Sequence, residues 1–550
     1  MQKTKSKASS SVDRQRQKEL LKLSPFELKD KLIELAAEKE REGDEQLLNA
    51  GRGNPNWIAT EPREAFGTLL KFGLDLFKRG EKRPGLGWMP PKAGISDRFM
   101  GFLQKYSSEP GIGLLERSFH YGVHDLKFDA DTFIYELTES IIGCMYPVPD
   151  RMLKCCERIV QEFFAKEMCG GKPPAGTFDL FAVEGGTAAM CYIFDSLMQN
   201  RLLHRGDGIA LGVPTFTPYL EIPHFDRYSF KVTQLDAAKE VRADGGHTWQ
   251  FSDEEIDKLA DKKIKAFFLV NPSNPPSVAV REKTIQRLVK LVKSKRPDLI
   301  IITDDVYSTF VPGFRSLMAD LPRNTIGVYS YSKHFGCTGW RLGVVAVHQD
   351  NIYDEMLAKL PAKDRSELDH RYLSITLHPE KLKFIDRMVA DSRQVALNHT
   401  AGLSPPQQVQ MALFSLYALL DKEDAYKNLC QSIVRKRYHA LWEGLGITPP
   451  PDDTRSYYYS EIDLMVWAEK KYGPGFVQFL RKNYECTDVL FRLAEHAGIV
   501  LLHGGGFGGP DWSVRVSLAN LADDTYSKIG RMLKEVAGKY VEEWKAAGGE

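Results

Sequence analysis

Ser330-Tyr-Ser-Lys333-His-Phe-Gly336, followed closely by Gly339-Trp-Arg341-Leu-Gly343, is the stretch on which the reading of this 550-residue chain turns. It offers an amine, a hydroxyl three residues before it and a guanidinium eight residues after it. An amine that forms an imine must spend part of its time unprotonated, and that requires a cationic or desolvated setting. A guanidinium pairs bidentately with a phosphate dianion. Ser330, Lys333 and Arg341 together suit an aldehyde with a phosphate handle, such as pyridoxal 5'-phosphate. The same residues also fit an ordinary loop, so the rest of the chain has to decide.

Outward from this stretch, short apolar runs alternate with helical patterns. Phe178–Val183, Ile209–Gly212, Ile264–Asn271, Leu299–Thr303, Gly327–Ser330 and Val344–Val347 read as strands, several of them apolar throughout, as in a sheet covered on both faces. Between two of them Ile285, Leu288, Val289 and Val292 fall on one helix face. This alternation predicts an α/β fold with a mostly parallel central sheet in a large domain. The flanks differ. Residues 25–160 are rich in helical and loop patterns, 350–400 carry charged helical segments, and a long helical stretch begins near Leu403. Ser456–Trp467, Gly498–Leu502 and Ser513–Leu518 read as strands of a smaller α+β domain. The expected division is a flexible basic arm (1–24), a helical segment serving the small domain and oligomer contacts (25–150), a large cofactor-binding domain (151–395) and a C-terminal small domain (396–550).

Seventy-four basic against 73 acidic residues leave no global field to favour nucleic acid or a membrane surface. No apolar run reaches the eighteen or so residues of a membrane helix. The eight cysteines are scattered without a Cys-x-x-Cys pair, so no metal site is expected and a cytoplasmic location is.

Four more segments fit the same cofactor, each with a plainer alternative. Glu184-Gly185-Gly186-Thr187 stands between a strand and a helix, where exposed backbone N–H groups form a phosphate cup; such glycines are also common for steric reasons. Asp304-Asp305-Val306-Tyr307 ends a strand. A carboxylate there suits a protonated pyridine nitrogen and the phenol suits the ring's 3'-oxygen, although an Asx turn gives the same tetrapeptide. Asp304 is chosen over Asp305 for its spacing to Tyr307. Asn271-Pro-Ser-Asn274-Pro-Pro-Ser277 follows another strand at the end where α/β sheets bind ligands, and Asn274 can offer its amide to the same oxygen; a structural turn also explains the prolines. Phe216 suits stacking on the ring or plain core packing.

The joint order of glycine cup, aromatic, Asn-Pro turn, Asp-x-x-Tyr and Ser-x-x-Lys with its arginine resembles the fold-type I pyridoxal-phosphate enzymes of the aspartate aminotransferase superfamily, over roughly residues 140–530. The resemblance implies that Lys333 bears the cofactor, with Gly185, Gly186, Thr187, Ser330 and Arg341 on the phosphate. It further implies Asp304 on the ring nitrogen, Asn274 and Tyr307 on the 3'-oxygen, Phe216 stacked, and Arg515 of Ser-Val-Arg-Val-Ser on the substrate α-carboxylate. Lys333, Asp304 and Tyr307 are thus the expected catalytic residues. By the same analogy Tyr146 reaches the phosphate of a partner subunit in a homodimer, or in a larger assembly of dimers.

Departures narrow the expectation. The usual Asn-Pro-Thr-Gly turn is Asn274-Pro-Pro-Ser277, and the glycine loop that meets substrate carries an extra arginine as Gly51-Arg52-Gly53. Together with Tyr146-Pro-Val-Pro-Asp-Arg-Met152 and Gly504-Gly-Gly-Phe507, these look like the branch that removes the β-carboxyl of L-aspartate to give L-alanine, with aspartate transamination as a side reaction. Dicarboxylate aminotransferases clamp the β-carboxylate with a partner-subunit arginine in a segment similar to 398–406; no arginine lies between Asn398 and Gln408 here. A tight guanidinium pair favours the ionised carboxylate over departing CO2 and raises the barrier to its loss. Its absence, with Arg52 giving looser orientation, is the expected route to decarboxylation, and Gly51 of the same loop is expected among the substrate-binding residues. An aminotransferase without decarboxylation and a noncatalytic protein of the same fold are the alternatives.

Overall fold

The computed structural model describes residues 12–41, 47–79, 83–243, 245–394 and 402–549. Its centre is a seven-stranded sheet: β1 (Phe178–Val183), β2 (Gly208–Val213), β3 (Lys231–Asp236), β4 (Ile264–Val270), β5 (Ile300–Asp304), β6 (Thr325–Ser330) and β7 (Gly343–His348). The spatial order is β1-β7-β6-β5-β4-β2-β3. Pairings from β6 to β3 are parallel, and β7 runs against both its neighbours. All six expected strands are present. β3 is the addition; it is an edge strand, half exposed and polar, so it carries no apolar run to announce it.

β1, β5, β6 and β7 are buried along their whole length because helices cover both faces. Phe181, Val183, Ile302 and Val328 pack on one side with Ile193 and Leu197 of the helix Gly186–Gln199. On the other side Phe267, Leu269 and Ile301 meet Ile285, Leu288 and Val292 of Glu282–Lys295, the face expected from periodicity. Leu180, Val344 and Ala346 join a helical layer containing Lys154–Glu167, Pro405–Leu420 and helices between residues 61 and 142.

The C-terminal unit has a three-stranded antiparallel sheet in which Ser513–Ser517 lies between Tyr459–Asp463 and Leu502–His503. The run 456–467 is shorter as a strand than expected. Asp463 accepts hydrogen bonds from the N–H groups of Met465 and Val466 and so starts the helix Leu464–Tyr472. The run 498–502 divides: Ile499–Val500 pairs with Leu48–Asn49, and Leu502–His503 with the Arg515 strand. The N-terminal part belongs here too. Pro25–Arg41 packs on this core through Leu28, Leu32 and Ala36. Within the expected arm, Arg14–Leu20 is instead a helix anchored by the buried Gln17, whose amide donates to Asp488 at 2.9 Å; residues 1–11 lie outside the described ones. No helix among the described residues is long and apolar enough to cross a membrane.

Candidate active site

A cavity of about 360 Å³ opens at the carboxyl ends of the parallel strands. Gly186, Thr187, Phe216, Asn274, Asp304, Tyr307, Ser330, Lys333, Arg341 and Arg515 all line it. Gly185 and Gly51 stand immediately behind this lining. Tyr146 and Arg52 do not reach it. Tyr146 is 68% exposed and borders a different groove with Lys92 and Met145. The Arg52 side chain is exposed, although its neighbour Gly53 forms part of the wall.

One end of the cavity is built for an anion. Gly185 takes a φ of 90° at the turn between β1 and the helix Gly186–Gln199, whose first N–H groups have no partner within the helix. A Cβ on Gly185 would sit 2.3 Å from a guanidinium nitrogen of Arg341. Arg341 itself is held at φ 55°, donating to the carbonyls of Thr338 at 2.9 Å and Glu184 at 3.4 Å. Ser330 at the end of β6 donates to Ser332 at 2.9 Å. Hydroxyls, a helix N-terminus and a guanidinium thus converge where a phosphate fits.

The middle suits a flat heteroaromatic ring. Asp304 closes β5 with its carboxylate in the cavity wall, accepting from the Val306 N–H at 3.2 Å and from the Tyr219 hydroxyl at 2.6 Å. Burial pushes the Asp304 carboxyl above the usual range, opposed by the Tyr219 bond and by Lys333. Asp305 points away, bonded by Thr303 and Ser316, and burial pushes it up to about 7. Asp304, chosen for its spacing to Tyr307, is the one of the two that lines the cavity. Tyr307 receives a long hydrogen bond of 3.4 Å from the Asn274 amide, and Phe216 holds its ring edge-on to Tyr219 at 5.5 Å. The Lys333 amine donates to the Gly53 carbonyl at 3.1 Å.

The far end suits a carboxylate. Arg515 is 2% exposed, with burial lowering its affinity for protons, and no carboxylate among the described residues forms an ion pair with it. It donates to the Asn274 side-chain oxygen at 3.2 Å and to the Gly51 carbonyl at 2.9 Å, while its Nε has no partner among the described residues. A buried cation balanced only by neutral acceptors is costly unless an anion joins it. Phosphate cup, ring-nitrogen partner, reactive amine and carboxylate fork fit pyridoxal phosphate carrying an amino acid.

Sequence reasoning passed over Tyr219, Phe26, Tyr459 and the backbone of Gly53. Tyr219 stands three residues after Phe216 on the short helix Thr217–Glu221, a spacing that places both near the cavity. Phe26 enters from the N-terminal helix, edge-on to Phe216 at 5.8 Å, with nothing in its local sequence to signal it. Of the segment 398–406, residues 398–401 lie outside the described ones; Ser404 caps the helix Pro405–Leu420.

The sequence profile for aminotransferase class I and II matches residues 182–529. A bifunctional aspartate aminotransferase and L-aspartate beta-decarboxylase from a Pseudomonas species is 48% identical over 538 residues, spanning 96% of this chain and 99% of that one. An aspartate aminotransferase of Sulfolobus acidocaldarius is 36% identical over 119 residues, 21% of this chain and 28% of that one. Among solved structures, the aspartate aminotransferase of Rhizobium meliloti superposes with a TM-score of 0.57 at 15% identity, covering 94% of this chain and 96% of that one. A mutant aspartate aminotransferase of Thermus thermophilus gives 0.56 at 16%, covering 91% and 94%. The architecture is that of the fold-type I aminotransferases.

Proposed function

Because the chain belongs to the class I and II aminotransferases, we propose that it removes the β-carboxyl group of L-aspartate as CO2 to give L-alanine, with aspartate transamination as a second activity. The observation that carries this reading is the likeness, over nearly the whole of both chains, to an enzyme named for both reactions. The cavity supports it residue by residue.

Bound pyridoxal phosphate supplies a ring that withdraws electrons from the amino acid attached to it. Arg341, Ser330, Thr187 and the N-terminus of the helix Gly186–Gln199 hold the phosphate. Asp304 keeps the ring nitrogen protonated, Tyr307 and Asn274 bond the 3'-oxygen, and Phe216 covers one face. Lys333 would hold the cofactor through its aldehyde and, as the amine nearest the substrate, would move the Cα proton. Arg515 exchanges part of its bonding to Asn274 and Gly51 for the α-carboxylate, a fork that fixes the orientation of Cα and Cβ. Arg52, at the edge of the same glycine loop, has its side chain outside the cavity; turned inward on substrate binding it would orient the β-carboxylate loosely enough to let CO2 depart.

A homodimer at least, and an assembly of dimers beyond it, completes the reading. Trp88, Met89, Met145, Tyr146 and Val148 are exposed apolar side chains, and the 4.0 Å approach of Cys144 to Met89 joins the two segments that carry them. Such a patch supports subunit contact, with Tyr146 reaching a neighbouring phosphate site. A cytoplasmic location goes with these assignments.

Purified protein incubated with L-aspartate and no keto-acid acceptor is expected to release CO2 and alanine in equal amounts. Oxaloacetate without alanine, at no more than one equivalent per bound cofactor since no acceptor removes the amino group, would leave a transaminase alone. Borohydride reduction followed by peptide mapping is expected to find a pyridoxyl group on Lys333.

A further inference from the structure

Tyr459 opens the strand Tyr459–Asp463, is 2% exposed and lines the cavity. Its backbone is paired with Ser517, two residues beyond Arg515 on the neighbouring strand. The Arg515 guanidinium lies 4.5 Å from the centre of its ring, and the Tyr307 hydroxyl donates to its oxygen at 3.1 Å. Opposite, a Cβ on Gly53 would fall 2.6 Å from that oxygen and 3.3 Å from the Lys333 amine, so the missing side chain leaves both groups their room. Tyr459 is therefore faced by Tyr307 and Tyr458, by Arg515 over its ring and by Lys333 across Gly53. Among the described residues its hydroxyl accepts a hydrogen bond, and no protein acceptor takes its own hydrogen.

We propose that Tyr459 is a positioning residue for the cofactor's 3'-oxygen and acts through Tyr307. The inference rests on the role assigned to Tyr307 above. When the Tyr307 hydrogen turns toward the 3'-oxygen, the Tyr459 hydroxyl rotates and donates to the Tyr307 oxygen, reversing their bond. A hydroxyl that accepts while it donates becomes a stronger donor, because hydrogen bonds in a chain polarise one another. Burial holds the Tyr307 phenol well above its ordinary value, so it stays protonated and available to donate. The relay stabilises negative charge on the 3'-oxygen, and the cofactor joined to Lys333 then loses its proton at lower pH.

The test is a spectrophotometric pH titration of the substrate-free holoenzyme, following the visible band of the bound cofactor. Tyr459→Phe is expected to raise the midpoint by about half a unit to one unit, the effect of one ordinary hydrogen bond. Tyr307→Phe is expected to raise it further, and Tyr307→Phe/Tyr459→Phe to match Tyr307→Phe alone, since the relay has lost its intermediary. Replacing Tyr459 with 3-fluorotyrosine, a stronger donor of nearly the same shape, is expected to lower the midpoint and needs no tolerance of a missing hydroxyl. An unshifted midpoint in Tyr459→Phe, or shifts that add in the double variant, would overturn the inference while leaving the cofactor reading intact. A wild-type protein with no titrating visible band would overturn both.

Discussion

Tyr219 donates its phenolic hydrogen to Asp304 at 2.6 Å, and both residues are buried in the cavity wall. Burial is the main force lifting the Asp304 carboxyl above its ordinary range, and this bond is the chief one holding it down. In Tyr219→Phe the carboxylate loses that support and binds its own proton more readily. A hydrogen bond to a charged acceptor is worth about 1.5–3 kcal/mol, so kcat is expected to fall by roughly 10- to 100-fold. Asp304→Asn, which cannot hold a proton on the ring nitrogen, is expected to fall further. Steady-state kinetics on the two variants give the ranking, and a Tyr219→Phe enzyme with unchanged kcat would remove Tyr219 from this account.

Arg515→Lys keeps the charge and loses the fork. If Arg515 holds the α-carboxylate as proposed, two charge-assisted bonds are reduced to one, and kcat/KM for aspartate is expected to drop by about two orders of magnitude. Cofactor affinity, measured by equilibrium dialysis, stays within a few-fold, because Arg515 sits at the end of the cavity away from Arg341 and Ser330. Parallel losses of both quantities would show that the site had collapsed rather than lost a contact.

The Arg52 side chain lies outside the cavity while the carbonyls on either side of it, at Gly51 and Gly53, serve Arg515 and Lys333. Arg52→Ala is expected to raise KM for aspartate and to move the product ratio from alanine toward oxaloacetate, with folding unaffected. Quantifying both products by chromatography checks this. If neither KM nor the ratio changes, the β-carboxylate is oriented by some other group.

Glu461 stands opposite Arg515 on the adjacent strand; among the described residues it is bonded only by Ser513 at 2.9 Å and one carboxyl oxygen has no partner. Burial pushes it up to about 8 from an ordinary 4.5. The folded protein therefore keeps this proton while the unfolded chain has released it, so its contribution to stability is complete below about 4.5 and declines as pH rises to about 8. Glu461→Gln is expected to flatten that decline and to gain on the order of a few kcal/mol over wild type at pH 8. Denaturant melts at pH 5 and pH 8 measure the difference. Equal pH slopes in the two proteins would mean that the carboxyl is ionised in place.

What could be read from residues alone follows from how each feature is encoded. The buried strands were visible because helices cover both faces and select unbroken apolar runs, as in β1 and β5. β3 was invisible because an edge strand is free to be polar. Asp304 ends β5, Asn274, Tyr307 and Lys333 follow closely on β4, β5 and β6, and Arg341 stands just before β7, so local spacing carries their geometry. Phe26, Gly53 and Tyr459 reach the same cavity only by long-range packing, and no local pattern distinguishes Tyr459 from Tyr457 and Tyr458. Asp463 shows the other kind of failure: an apolar run continued past it, and one capping side chain turned strand into helix.

The bond between the Gly51 carbonyl and the Arg515 guanidinium spans 464 positions of chain. During synthesis, the half of the pocket proposed to take the substrate carboxylate cannot form before Arg515 has been made, whereas the residues proposed for the phosphate cup all precede it and end at Arg341. A chain cut short anywhere before Arg515 therefore lacks the guanidinium end of the pocket, even where every residue of the proposed phosphate cup has already been made.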